Sequence, residues 1–151
     1  MSREFAKIRE QFIEQIGLVA QGEGMPRIAG RLMGLMVFDG KPRSFGELAR
    51  ELNVSRGSIS TNARMLEERG FIERLGIAGD RQDYFQLAEN PYEMLLKNAA
   101  ARARKAEALI GRTADALAAE QTDITARIDE FQNFYKTIAA SIDEAANSFR
   151  K

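Results

Sequence analysis

Apolar residues recur at spacings of three and four over most of the chain, which is the period of an amphipathic α-helix. The first such stripe runs through residues 3 to 20. It consists of Phe5, Ile8, Phe12, Ile16 and Val19. The segment "MPRIAGRLMGLMVFDG" follows and is apolar on nearly all sides, so it predicts a buried second helix. Gly30 and Gly34 lie one turn apart in it, and their lack of side chains would let a neighbouring helix approach closely.

Two short helices joined by a tight turn are predicted next. In "SFGELARELN" the hydroxyl of Ser44 would cap the first helix while Glu47 reaches back to its amide, which is a capping box. Asn53-Val54 forms the turn, and Ser55 caps a second helix that runs to Gly70. This order of elements is that of a helix-turn-helix.

A β-hairpin is predicted after these helices. "FIERL" and "DYFQL" are short runs of apolar and β-branched or aromatic residues, separated by the glycine-containing loop "GIAGDRQ". The tip of the hairpin, residues 79–82, carries Arg81. A helix-turn-helix followed by such a hairpin is a winged helix.

The remainder of the chain, from Asn90-Pro91 onward, carries two heptad seams. The first consists of Leu96, Ala99, Ala103, Ala106, Ile110, Thr113 and Leu117. The second consists of Ile124, Ile128, Phe131, Tyr135, Ile138, Ile142, Ala145 and Phe149. A four-residue step near Glu120 to Asp123 separates them; one long helix with a stutter or two helices joined by a turn would produce it. We prefer two helices, with Thr122 or Asp123 as the cap.

The predicted fold is therefore mainly α with a small β-hairpin wing, a winged helix-turn-helix plus long dimerisation helices. Residues 1–24 are expected to form an N-terminal dimerisation helix and residues 25–89 the DNA-binding domain. Residues 90–151 are expected to form a C-terminal helical dimerisation region.

The amino-acid composition makes several classes of function less favoured, above all enzymes and metal-binding proteins. The 22 basic residues balance 22 acidic ones, which is mild evidence against a nucleic-acid binder, although binding needs only a basic face. The chain has neither cysteine nor histidine, so the commonest general base and transition-metal ligands are missing. Asp80, Asp83 and the pair Glu67-Glu68 lack metal-site spacing. We therefore expect no enzyme activity, metal or cofactor, and no membrane span; the expected location is the cytoplasm.

The second helix of the helix-turn-helix has an unusual outward face. With about 100° per residue, Ser60, Thr61 and Arg64 fall opposite the side of Ile59 and Ala63. Small hydroxyl side chains bordered by arginine suit the DNA major groove, because arginine can donate two hydrogen bonds to guanine and hydroxyls can reach phosphates or base edges. The predicted DNA-contacting residues are Ser44, Ser55, Arg56, Ser58, Ser60, Thr61, Arg64 and Arg81.

The stretch "SFGELARELNVSRGSISTNARMLEERGFIER" followed by "GDRQDYFQL" resembles the winged helix-turn-helix of MarR-type transcriptional regulators. "MPRIAGRLMGLMVF" and "NPYEML" are more specifically similar to the GbsR-like, choline-responsive subgroup. The resemblance covers residues 24 to about 96 and implies a homodimeric DNA-binding regulator. It implies that Arg56, Ser60, Thr61 and Arg64 lie on the recognition helix and that Arg81 lies on the wing. The usual wing has a second basic residue where this chain has Gln82.

Pairing of the heptad seams between two protomers would hold two recognition helices about one DNA turn, ~34 Å, apart over an inverted-repeat operator in double-stranded DNA. A self-contained helical hairpin is the alternative. The predicted dimer interface comprises Phe5, Ile8, Phe12, Ile128, Phe131, Tyr135, Ile138 and Ile142. An adaptor that dimerises without reading DNA would keep these seams but would not need the exposed serines and arginines.

A small-molecule effector is the last prediction. Aromatic faces attract quaternary ammonium ions, and the subgroup resemblance implies a choline-like ligand. The predicted ligand-binding residues are Tyr92, Phe131, Phe134 and Tyr135. The alternative is that these rings fill a core beside the alanine-rich seam.

Overall fold

The computed structural model describes residues 2–151 as nine helices and strands. They are α1 (Arg3–Gly22), α2 (Arg27–Asp39), β1 (Arg43–Ser44), α3 (Phe45–Leu52), α4 (Arg56–Glu68), β2 (Ile72–Gly76), β3 (Asp83–Leu87), α5 (Pro91–Ala116) and α6 (Thr122–Asn147). The chain divides into two compact units, one up to Pro91 and one from Tyr92 to Lys151. The mainly helical fold with a small β wing is as predicted. The helix α1 lies in the first unit, together with the winged helix-turn-helix.

The helices α1 and α2 pack closely because glycines meet where they cross. A Cβ placed on Gly30 would lie 2.5 Å from the Ala20 Cβ, 2.6 Å from the Ile16 carbonyl oxygen and 2.8 Å from the Gly17 Cα. These distances leave no room for any side chain. The expectation that the α2 glycines admit a neighbouring helix is therefore confirmed, and α1 is that neighbour.

The predicted apolar stripe of α1 is only partly buried. The α1 residues that are buried are Ile13, Gly17 and Ala20, whereas Phe5 and Ile8 are 42% and 53% exposed. The stripe nevertheless contacts α2, because the Phe5 and Phe12 rings both pack against the Phe38 ring, with centroids 5.5 and 5.8 Å apart. Apolar surface is left uncovered near the start of α1.

An ion-pair cluster joins α1, α2, β1 and α3. The Asp39 carboxylate accepts hydrogen bonds from Arg9 Nε and Nη2, at 2.9 and 2.8 Å, and from Arg43 Nη2 at 2.6 Å. Arg43 also contacts Glu47 at 3.2 Å, and Arg9 contacts Glu51 at 3.3 Å. The hydrogen bonds from Arg9, with those from Arg43, lower the pKa of Asp39 despite its burial.

A second contact fixes the end of α3. Arg31, on α2, donates through Nε to Glu14 of α1 at 2.8 Å and through Nη2 to the Leu52 carbonyl oxygen at 2.9 Å. Because the last carbonyls of a helix have no partner within the helix, Arg31 satisfies one of them and braces the corner that leads into α4.

The wing is a three-stranded antiparallel sheet with the strand order β1-β3-β2. The two strands of the hairpin were predicted; β1 was not, because its two residues carry no periodic signal. Ser44 of β1 lies opposite Tyr84 of β3. This pairing holds the wing against the start of α3.

The second unit contains two helices, α5 and α6, which confirms the prediction of two helices rather than one long helix with a stutter. The prediction of Thr122 or Asp123 as the cap is wrong: the N-cap residue of α6 is Gln121, which makes no side-chain capping bond. Arg104 and Asp143 form an ion pair between α5 and α6. In the described part of the chain, no helix is both long and apolar enough to cross a membrane.

Candidate nucleic-acid interface

The helix α4 is held rigidly by its inner face. Ile59, Ala63 and Leu66 are each 0% exposed, as the periodicity predicted. Asn53 adopts a left-handed conformation with φ 53°, which lets the chain turn sharply between α3 and α4, since asparagine tolerates this region better than most residues. The position of the outward face of α4 is therefore set by a packed core.

That outward face is accessible. Arg56, Thr61 and Arg64 are exposed and Ser60 is half-buried. Arg64 Nη2 lies 3.4 Å from the Ser60 hydroxyl, on the same face one turn away. The predicted group of hydroxyls and arginines is thus on one accessible surface of α4, from its first residue, Arg56, to Arg64.

The serines near this surface differ in burial and in the helix that they cap. The Ser55 hydroxyl accepts the Ser58 amide hydrogen at 3.1 Å and so caps α4, and it also donates to the Ser58 hydroxyl at 3.1 Å. Ser44 is 2% exposed, and its hydroxyl accepts the Glu47 amide hydrogen at 3.2 Å. Ser44 was also predicted to contact DNA, but a buried hydroxyl that caps α3 is not presented to a duplex. We therefore assign Ser44 a capping role only.

The tip of the wing is ordered by one carboxylate. Asp80 accepts the Tyr84 hydroxyl hydrogen at 2.6 Å and the Gln82 amide hydrogen at 2.9 Å. The Tyr84 bond is the main cause that lowers the pKa of Asp80 and raises the pKa of Tyr84. Gly79, with φ 84°, makes the turn possible. Arg81 is exposed at this tip, on a turn fixed by hydrogen bonds rather than on a freely flexible one.

Arg74 fixes the base of the wing, and sequence reasoning missed it. Its guanidinium contacts Asp83 at 2.9 Å and Glu67 at 3.6 Å, and it lies 5.2 Å from the centroid of the Phe85 ring. The side chain thus ties β2 to β3 and to the end of α4. Because Arg74 pairs with Glu67, it offsets the negative charge of this glutamate near the outward face of α4.

Apart from Arg69, the arginines of the first unit fall into two groups. One group forms ion pairs with carboxylates: Arg9, Arg27, Arg31, Arg43 and Arg74. A second group has no carboxylate partner anywhere in residues 2–151: Arg3, Arg50, Arg56, Arg64 and Arg81. Four of the second group lie on α3, α4 and the wing. Although the formal charge of the chain is zero, arginines without a carboxylate partner are thus present on α3, α4 and the wing.

The aromatic residues of the second unit form a partly exposed cluster. The rings of Phe131 and Phe134 each contact the Tyr135 ring edge-to-face, with centroids 5.3 Å apart, and they are 51% and 54% exposed. Phe131 and Phe134 line a shallow pocket of about 390 Å³ with Arg127 and Glu130. Tyr92 packs against Phe149 with centroids 6.0 Å apart.

Known proteins similar to this chain are transcriptional regulators. The sequence model of the MarR family matches residues 23–83. The HTH-type transcriptional regulator MmpR5 of Mycobacterium tuberculosis is 51% identical over 83 residues, which are 54% of this chain and 50% of that protein. The HTH-type transcriptional repressor OpcR of Bacillus subtilis is 26% identical over 58% of this chain and 47% of its own length.

A solved structure extends the similarity over the whole fold. The crystal structure of a transcriptional regulator superimposes with a TM-score of 0.84 and 32% sequence identity, and covers 93% of this chain and 97% of the other. The chain spans about half the length of the curated relatives that it matches. The match of the complete fold therefore rests on the solved structure.

Proposed function

Because the chain belongs to the MarR family of transcriptional regulators, we propose that it represses transcription by binding a specific double-stranded DNA site. The family is one of regulators rather than enzymes. The single observation that carries the proposal is the outward face of α4, where exposed arginines without carboxylate partners lie beside small hydroxyl residues on a helix whose opposite face is fully buried.

The contacts differ in kind along this surface. Arg56 and Arg64 on α4 enter the major groove and donate to base edges, while Ser60 and Thr61 serve bases or phosphates. Ser55 and Ser58 lie at the N-terminus of α4, where the backbone amides favour a phosphate. Arg81 contacts the backbone or the minor groove from the wing. Base contacts supply specificity, and the phosphate contacts fix the register.

A second copy of the chain completes the binding unit in this proposal. One winged helix reads a short half-site, and two half-sites are normally about one DNA turn apart. Phe5 and Ile8 on α1, and separately Phe131 on α6, are large apolar side chains with about half of their surface exposed, and a partner would cover such surfaces. The other proposed interface residues, Phe12, Ile128, Tyr135, Ile138 and Ile142, are already half-buried within one protomer.

The effector we propose is a quaternary ammonium compound of the choline type, as in the GbsR-like subgroup that the sequence resembles. The Phe131 and Phe134 rings line one pocket with Arg127 and Glu130; the rings offer the aromatic faces, and Glu130 the carboxylate, that such a cation prefers. Binding would shift the protein between two conformations with different DNA affinity. Operator affinity that stays constant up to millimolar choline would remove this part of the proposal.

The main test is binding to the DNA immediately upstream of the protein's own gene, measured by gel shift at fixed salt against a scrambled duplex of equal length. We expect tighter binding to the natural sequence and a footprint with two-fold symmetry. A dimer that binds neither duplex would favour an adaptor that acts through protein contacts.

A further inference from the structure

Arg50 lies between two glutamates along α3, yet neither of them pairs with it. Glu47 contacts Arg43 at 3.2 Å, and Glu51 contacts Arg9 at 3.3 Å and Arg43 at 3.7 Å. These two carboxylates share the face of α3 that belongs to the ion-pair cluster around Asp39. Arg50 itself is exposed and has no ion pair within residues 2–151.

The face of α3 that carries Arg50 meets the wing. A Cβ placed on Gly46 would lie 3.4 Å from Arg50 Nη1 and 3.8 Å from Gln82 Oε1, so both polar groups lie over this glycine. The pairing of Ser44 with Tyr84 explains why Gly46 and Gln82 are neighbours. Because the strands are antiparallel, Gly46 follows Ser44 by two residues and Gln82 precedes Tyr84 by two, on the same side of the pair. Gln82 is also the neighbour of Arg81 at the wing tip.

From this geometry we propose that Arg50 and Gln82 form a phosphate-binding notch that holds the DNA backbone between α3 and the wing. The inference rests on the proposed DNA-binding function and adds a contact to it. The guanidinium of Arg50 supplies the charge, and the Gln82 amide, whose Oε1 faces Gly46, can donate to the phosphate through its Nε2. Because Gly46 has no side chain, both polar groups can lie over this point of α3.

The test measures how DNA affinity depends on salt. Each neutralised phosphate contributes about 0.9 to the slope of log affinity against log salt. Arg50→Ala in the full-length protein should reduce the slope by about 0.9 per site, or about 2 per dimer bound to two half-sites. Affinity should fall roughly tenfold per contact, equally for the natural and the scrambled duplex. Arg112→Ala is the matched control, because it removes the same charge from an exposed position on α5.

A second variant distinguishes the loss of a phosphate contact from damage to the fold. Gln82→Lys in the Arg50→Ala background should restore most of the lost slope, because a cation on the other side of the notch reaches the same phosphate. Thermal unfolding of each variant checks that the fold is intact. An Arg50→Ala slope equal to that of Arg112→Ala, or no restoration by Gln82→Lys, would overturn the notch alone. A wild-type protein that binds no DNA would instead overturn the proposed function itself.

Discussion

Whether an arginine is available to DNA depends on its distance from carboxylates, and this is decided residue by residue. Arg74 and Arg64 are both exposed, but only Arg74 has Asp83 and Glu67 within salt-bridge distance. The Arg64 guanidinium has the Ser60 hydroxyl as its neighbour. A guanidinium that has a neutral neighbour can exchange it for a base edge at a small cost.

Arg64→Ala should therefore weaken binding to the operator by about 1–3 kcal/mol, because a base reader loses hydrogen bonds that only the correct base pair provides. Competition gel shifts with the operator and with operators changed at single base pairs would measure the loss and the relaxed base preference.

The comparison for this prediction is Arg81→Ala. A phosphate contact is independent of sequence, so this change should lower affinity for operator and random DNA alike and flatten the salt dependence. Equal losses on both duplexes for Arg64→Ala would contradict its assignment as a base reader.

At the scale of elements, the crossing of α1 and α2 depends on Gly30. Gly30→Ala places a methyl group against the Ile16 carbonyl and the Ala20 side chain, and we expect it to lower the free energy of unfolding by about 1–3 kcal/mol. Urea denaturation followed by circular dichroism would measure this change.

Gly22→Ala, in the last turn of α1, is the control, since a Cβ there would have nothing within 4 Å. It should leave stability unchanged or raise it by up to about 1 kcal/mol, because alanine favours the helix. If both substitutions had the same effect, the close approach of the two helices would not be what requires glycine.

We expect the ion-pair cluster to make the stability of the first unit sensitive to acid. The hydrogen bonds from Arg9 and Arg43 place the pKa of Asp39 below its ordinary value of 3.8. A lowered pKa contributes stability above the unfolded-state pKa, and this contribution is lost as the pH falls through the folded-state value. Asp39→Asn should therefore reduce stability at pH 7 and flatten its decline below pH ~5.

Urea unfolding at a series of pH values would compare this variant with Asp115→Asn, an exposed aspartate of α5. The control should retain the wild-type acid dependence. A decline in Asp39→Asn as steep as in the wild type would show that other groups control the acid response.

Local patterns predicted most of the elements, and long-range contacts account for what they did not predict. The helix-turn-helix, its caps and the buried side of α4 follow from spacing and capping residues that lie within one element. The strand β1, the burial of Ser44 and the role of Arg74 depend on pairings with β3 and with Asp83. Such pairings join residues far apart in the chain, so the spacing of apolar residues within one element does not predict them.

For the whole molecule, the zero formal charge means that long-range attraction to DNA is weak. Affinity must then come from a few local contacts, doubled when two protomers bind one operator. Self-association is therefore a condition for function in this proposal.

Phe131→Glu should raise the dissociation constant of the dimer about tenfold or more, because it replaces an aromatic interface residue by a charge that resists burial. Lys136→Glu, at an exposed position of the same helix, should leave the dimer intact. Sedimentation velocity over a range of concentrations would distinguish the two variants. A wild-type chain that stays monomeric at all concentrations would contradict the proposed assembly.

The hydrogen bond between Arg31 and the Leu52 carbonyl has a genetic consequence. Glu14 on α1 orients the same guanidinium, so a shift of α1 is transmitted through one side chain to the corner between α3 and α4. Selection for mutants that no longer respond to an inducer should then yield changes at Glu14, which is not among the residues proposed to contact ligand or DNA.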